Sequence, residues 1–199
     1  MDEQFVDTPV GRARLDWYHA AEDQRATLVL GHGTATGVEA RDLQALARVL
    51  PPLGFTVALM TQPYRVDGNY EVAGEPSLDQ AWMAIWPKVT SGSGPVIAGG
   101  RSAGSQVACR TARGLGADAV LALAYPLLGP GSAAELLATD RPILIVQGGR
   151  DPFGRPEQFP TLSTGFEMVA IPNANHMFAV NGHNGGVEPL AQLTTAVIE

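Results

Sequence analysis

Residues 96–105, Val96-Ile97-Ala98-Gly99-Gly100-Arg101-Ser102-Ala103-Gly104-Ser105, form a short apolar strand that runs through glycine straight into a helix-forming segment. The pattern Gly100-x-Ser102-x-Gly104 sets Ser102 on a tight strand-to-helix turn. A residue on such a turn is held in a strained backbone conformation, tolerable only where the positions two before and two after it lack side chains. The turn lifts the hydroxyl above the sheet, and the following helix points its N–H groups toward it. A flanking strand and helix are the context in which this five-residue pattern carries chemistry.

The rest of the chain repeats the alternation. Residues 4–8 and 12–18, broken by Pro9 and Gly11, read as a hairpin, and Thr27 to Gly31 as a short strand. Residues 38–50 place Val38, Leu43, Leu46, Ala47 and Leu50 on one helical face, and Pro51-Pro52 stops that helix before a strand from Phe55 to Met60. A helix is expected from Ser77, as N-cap, to Trp86 before Pro87. Further strands fall at 95–100, 118–124, 142–147 and 166–171, and further helices at 103–114, 132–138, 156–163 and 187–198. Strands that are nearly continuous in apolar residues and flanked by helices belong to a parallel sheet buried on both faces. The expected fold is α/β, a three-layer, doubly wound, mostly parallel sheet, with residues 1–199 as one domain and no separate cap domain.

Composition limits the function classes. With 45% apolar residues the 199-residue chain can bury a sizeable core, and a net charge of −7 argues against nucleic acid as a partner. The first twenty residues contain Asp2, Glu3, Asp7, Arg12, Arg14 and Asp16 and do not read as a signal peptide. The longest apolar run, Ala119 to Leu128, is about half of a bilayer span, so no membrane association is expected. A lone cysteine, Cys109, excludes an internal disulfide and a cysteine-based zinc cluster, and the cytoplasm is the expected compartment. No His, Asp and Glu cluster has metal-binding spacing, and no metal or other cofactor is expected. Gly31-His32-Gly33-Thr34-Ala35-Thr36-Gly37 superficially suggests a dinucleotide loop. Its third glycine falls one residue late, and Met60-Thr61-Gln62 stands where an acid is wanted.

In a doubly wound sheet, ligands sit beyond the carboxyl ends of the strands. Those ends carry His32-Gly33-Thr34, Ser102, the run Gly148-Gly149-Arg150-Asp151-Pro152-Phe153, and the run Asn173-Ala174-Asn175-His176-Met177-Phe178. A serine is a weak nucleophile that needs a base, and of the four histidines only His176 follows a late strand on that edge. A histidine base needs an acid to orient it. Asp151 occupies a strand end, whereas Asp118 and Asp140 lie at strand beginnings and read as caps or solvated charges. The loop Tyr125-Pro126-Leu127-Leu128, an alternative place for the acid, has no carboxylate. His19 and His183 read as surface residues, and His32 as a structural hydrogen-bonder.

The order Ser102, Asp151, His176 at these strand ends resembles the α/β-hydrolase family over nearly the whole chain. GGRSAG at the turn, GGRDPFG at the acid and NANHMF at the histidine are most similar to its compact dienelactone-hydrolase-like branch, and within that to proteins of the testis-expressed and histone-acetyltransferase-complex-subunit type. The resemblance implies an oxyanion hole made by the backbone N–H groups of Ala103 and Thr34. The Thr34 side chain either adds a donor or caps the next helix. Arg101 reads as an anchor through carboxylates more than as a substrate contact.

Residues 61–76 form a long loop whose Tyr64, Arg65 and Tyr70 are candidates for the mouth of a pocket. Tyr125, Phe153, Met177 and Phe178 are candidate apolar walls, with burial in the core the alternative for each. The expectation is a serine hydrolase acting on a small ester, thioester or related acyl compound through an acyl-enzyme. The alternative is a non-hydrolytic use of the fold, as an interaction subunit or a catalyst of cyclisation or acyl transfer. Oligomeric state is not readable.

Overall fold

The computed structural model describes residues 1–69, 74–92, 94–161, 165–180 and 187–199, without the side chains of Val187 and Glu188. Among the described residues eight strands form one sheet: β1 (Asp2–Thr8), β2 (Gly11–Tyr18), β3 (Ala26–Gly31), β4 (Phe55–Thr61), β5 (Val96–Arg101), β6 (Ala119–Leu123), β7 (Ile143–Gly148) and β8 (Phe166–Ile171). Their order is β1-β2-β4-β3-β5-β6-β7-β8. The β1–β2 hairpin is antiparallel and joins β4 antiparallel, while every pair from β4 to β8 is parallel. This is the α/β-hydrolase fold.

Alternation along each strand divides the core in two. Val29, Ala98, Val120 and Ala122 face one side, against α3 (Glu75–Val89) and α4 (Ala103–Leu115), whose Trp82, Ile85, Val107 and Ala108 are buried there. Leu28, Leu30, Leu121 and Leu123 face the other, against Leu43 and Leu46 of α1 (Arg41–Val49) and Leu193 of α6 (Val187–Ile198). Both faces being covered explains why these strands read as continuous apolar runs.

Three expectations change. The helix expected at 77–86 runs from Glu75 to Val89, with Gly74 at its N-cap and Pro87 inside it. Burial of Trp82, Ile85, Trp86 and Val89 on one stripe carries the helix past the proline. The long loop contains a short helix, α2 (Pro63–Val66), and its residues 70–73, including Tyr70, lie outside the described residues. Of the helix expected at 156–163, the described residues 156–161 hold one 3-10 turn, Pro156–Gln158, and residues 162 and 163 lie outside the described residues. α5 (Ser132–Leu137) follows β6 as expected.

Register brings the functional loops level. Gly31 pairs with Gly100, Arg101 with Leu123, and Gly148 with Ile171. The loops after β3, β5, β7 and β8 therefore leave the sheet at one edge, with those carrying Asp151 and His176 side by side.

Candidate active site

Ser102 joins β5 to α4 with φ 53° and ψ −121°, a conformation that costs energy for a residue with a side chain. The surroundings hold it there. Its N–H donates to the Leu123 carbonyl (3.0 Å), and its own carbonyl accepts from the Ser105 hydroxyl (2.6 Å) and the Ser105 N–H (2.9 Å). The flanking glycines are required by contact. A Cβ on Gly100 would lie 2.6 Å from the Gly104 oxygen, and one on Gly104 would lie 2.9 Å from the His32 oxygen and closer still to Gly31.

Ser102 is a half-buried residue whose hydroxyl lies 3.0 Å from His176 Nε2, while His176 Nδ1 lies 2.7 Å from Asp151 Oδ2. These partners suit an imidazole protonated on Nδ1, donating to the carboxylate and leaving Nε2 to accept the serine proton. Asp151 is fully buried. Its Oδ1 accepts the Phe153 N–H (2.8 Å), and its Oδ2 also accepts from Gln147 Nε2 (3.0 Å). The loop of His176 is shaped by Asn175, whose Oδ1 accepts the N–H groups of Met177 and Ala179.

The loop after β3 lies directly against Ser102, since a Cβ on Gly33 would stand 3.2 Å from Ser102 Cβ. Ala103 opens α4, where the first N–H groups have no helical acceptor. Among the described residues neither the Ala103 nor the Thr34 N–H donates to a protein acceptor. Below this loop His32 Nδ1 donates to the Gly33 carbonyl (2.8 Å), and its Nε2 accepts the Gln62 N–H (3.1 Å). Burial lowers the pKa of His32 below the usual histidine value, so the ring is the neutral form these bonds need.

The candidate wall residues separate into two groups. Phe153 and Met177 are 52% and 51% exposed, and the Phe153 ring meets the His176 ring edge-on at 4.6 Å between centroids. Leu128, 58% exposed, joins them through its N–H to the Phe153 carbonyl (2.9 Å). Tyr125 and Phe178 are corrections, because both are buried in the core. The Tyr125 hydroxyl is spent on the Ser132 carbonyl (2.7 Å), and Phe178 turns inward at φ 50°. Tyr64 packs edge-on against His32, and Arg65 pairs with Glu39 (3.4 Å). An apolar cavity of about 300 Å³ lined by Leu28, Ile97, Leu121 and Leu144 opens at the opposite edge of the sheet, away from the chemistry.

Two supporting residues escaped the sequence reading. Gln147 is the polar residue of β7; its Nε2 also faces the carbonyls of Gly154 (2.7 Å) and Tyr125 (3.2 Å), and its Oε1 accepts the Tyr125 N–H (2.8 Å). A glutamine inside Ile-Leu-Ile-Val-Gln-Gly was the available signal. Asp42, on the buried face of α1, meets Arg101 at 3.0 Å. His19 is exposed, Asp118 caps the Val96 N–H (2.7 Å), and His183 lies outside the described residues.

Solved structures share this architecture. An alpha-beta serine hydrolase homologue from Coxiella burnetii matches at 18% identity and a TM-score of 0.80, covering 98% of this chain and 96% of that one. A serine hydrolase without lid from Xanthomonas campestris matches at 20% and 0.79 (99% and 93%), and dienelactone hydrolase from Anabaena variabilis at 20% and 0.73 (99% and 97%). No curated protein matches the chain. No helix among the described residues is long and apolar enough to cross a membrane. The model of the alpha/beta hydrolase domain family matches residues 24–198, and the chain belongs to that family.

Proposed function

We propose that the protein is a serine hydrolase of small carboxylic esters, thioesters or related acyl compounds, with Ser102 as nucleophile, His176 as base and Asp151 as its orienting acid. The observation that carries this reading is the unbroken line from the Ser102 hydroxyl through His176 to a buried Asp151, at 3.0 and 2.7 Å. Ser102 Oγ attacks the acyl carbon as its proton passes to His176 Nε2. The N–H groups of Ala103 and Thr34 receive the oxyanion, and His176 returns the proton to the departing alcohol or thiol. Water then attacks the acyl-enzyme with His176 as base, and the acid leaves with Ser102 restored.

Phe153, exposed against the imidazole, with exposed Leu128 bonded to its carbonyl and exposed Met177 next to His176 in the chain, favours an apolar or aromatic group on the substrate. The half-exposed Ser102 favours hydrolysis over a purely structural use of the fold, because attack requires the hydroxyl to be reachable. The likeness of GGRSAG and NANHMF supports assigning the chain to the compact branch of testis-expressed and complex-subunit type, and its single cysteine supports a cytoplasmic setting.

Labelling with a fluorophosphonate and turnover of p-nitrophenyl esters test this reading. Native protein should label and turn over, while Ser102→Ala should fold normally, fail to label and lose on the order of 10³-fold or more in kcat/KM. Equal turnover by the two proteins removes Ser102 from the mechanism.

A further inference from the structure

Arg101 precedes the nucleophile in the chain, yet its side chain is 3% exposed and has no access to a substrate. Its guanidinium distributes its donors among three separate segments. Nε faces Asp42 Oδ2 of α1 at 3.0 Å, and Nη1 donates to Thr36 Oγ1 at 3.2 Å in the loop that carries Thr34. Nη2 donates to the backbone carbonyl of His176 at 2.8 Å and lies against Met177 Sδ. The same group lies under Gly33, where a Cβ would stand 3.1 Å from Nη1.

A planar fork with fixed donor directions can hold three acceptors in one mutual geometry; an ammonium on a flexible stem cannot. The anionic partner is itself fixed, since Asp42 is 3% exposed. Two charges taken out of water rarely stabilise a fold more than apolar groups of the same shape would. The strands do not need the pair for their alignment, because the ladder between β3 and β5 already sets Gly31 against Gly100. What the pair adds is a link from the residue before Ser102 to the backbone of the base and to the loop of the second oxyanion donor.

We propose that the Arg101–Asp42 pair is a positioning device for the acyl-transfer site, holding His176 and the loop of Thr34 about Ser102, and that the fold does not depend on it. The proposal rests on the hydrolase reading above. A displacement of about 1 Å at a reacting group can cost on the order of 10²-fold in rate, so losing the link should appear in kcat.

The test compares native protein with three variants. The double variant Arg101→Met/Asp42→Leu removes both charges and leaves neither unpaired. It should fold cooperatively with a Tm near the native value, still label with fluorophosphonate at Ser102, and lose on the order of 10²-fold in kcat with KM within about threefold. Arg101→Lys keeps a charge opposite Asp42 without the fork and should recover only part of the rate, staying about tenfold below native. Thr36→Val cuts one tether and leaves the pair intact, and should lower kcat about threefold. A double variant that turns over like the native protein overturns the proposal. So does one that fails to fold, which would make the pair structural, or one whose KM rises as much as its kcat falls, which would make Arg101 a substrate contact. Native protein that neither labels nor turns over would instead defeat the hydrolase reading, an outcome separate from all of these.

Discussion

Asp151 and Asp42 are both buried carboxylates, one bonded to the His176 ring and the other linked to its backbone through Arg101, and they are stabilised in opposite ways. Asp151 is surrounded by neutral donors: the His176 ring, the Gln147 amide and the Phe153 N–H. Asp42 has a full cation beside it in Arg101. A carboxylate held by dipoles retains its capacity to stabilise a positive charge that appears only when His176 takes a proton. One already matched to a guanidinium has spent that capacity and can act only on geometry. Under the proposed mechanism the contrast puts Asp151 with the chemistry and Asp42 with the support of the site.

The largest expected effect breaks or sharpens that contrast at Asp151. In Asp151→Asn the amide no longer rewards the Nδ1-protonated ring, and kcat should fall on the order of 10²-fold or more with little loss of Tm. Single-turnover measurements with a p-nitrophenyl ester would separate acylation from deacylation, and both should slow, since His176 serves in each. A variant as active as native protein would show that another group orients the base.

The site was legible where backbone demands and residue type coincide. Glycines at 100 and 104 are needed by contact, so the turn at Ser102 could be read directly, and with it the alternation of strands and helices. Asp151 and His176 followed from lying at strand ends, and their separation closed because β7 and β8 pair as neighbours. What could not be read depends on which way a side chain turns. Tyr125 and Phe178 stand beside the site in sequence, yet one spends its hydroxyl on Ser132 and the other turns inward on a left-handed backbone. Asp42 was hidden because the stripe of Leu43, Leu46 and Ala47 marks a buried face without saying which buried position faces a cation. Pro87 read as a helix stop on local grounds, and the apolar stripe of α3 overrode it.

Gln147 gives an intermediate effect, because it supports Asp151 without touching the histidine. Gln147→Met keeps the volume but strips the carboxylate of one donor and leaves the Tyr125 N–H and the Gly154 carbonyl without their side-chain partner. Stability should fall by about 1–3 kcal/mol for each group left unsatisfied. The kcat should drop on the order of 10-fold, with KM unchanged, since the amide is fully buried. Urea unfolding and steady-state kinetics on the same preparation would read both. Unchanged kcat beside lowered stability would mean that the remaining donors suffice to hold Asp151.

The smallest effect concerns a buried group that carries no charge. His32 is kept neutral by burial, with Nδ1 donating to Gly33 and Nε2 accepting from Gln62, so its pKa in the folded protein lies below the ordinary value of 6.5. Below pH 6.5 the unfolded chain takes up a proton that the folded chain refuses, and stability therefore falls as the pH is lowered from 6.5 toward the depressed value. One proton sets a limiting slope of about 1.4 kcal/mol per pH unit. Every other titratable group is common to native protein and a His32→Gln variant, so the difference between their unfolding free energies from pH 7 to pH 5 isolates His32. The variant should be less stable at pH 7, where it lacks the two ring bonds, and its stability should decline less steeply toward pH 5. Parallel declines would mean that the ring takes up its proton equally in the folded and unfolded states, and that the loop of Thr34 does not rest on a neutral imidazole.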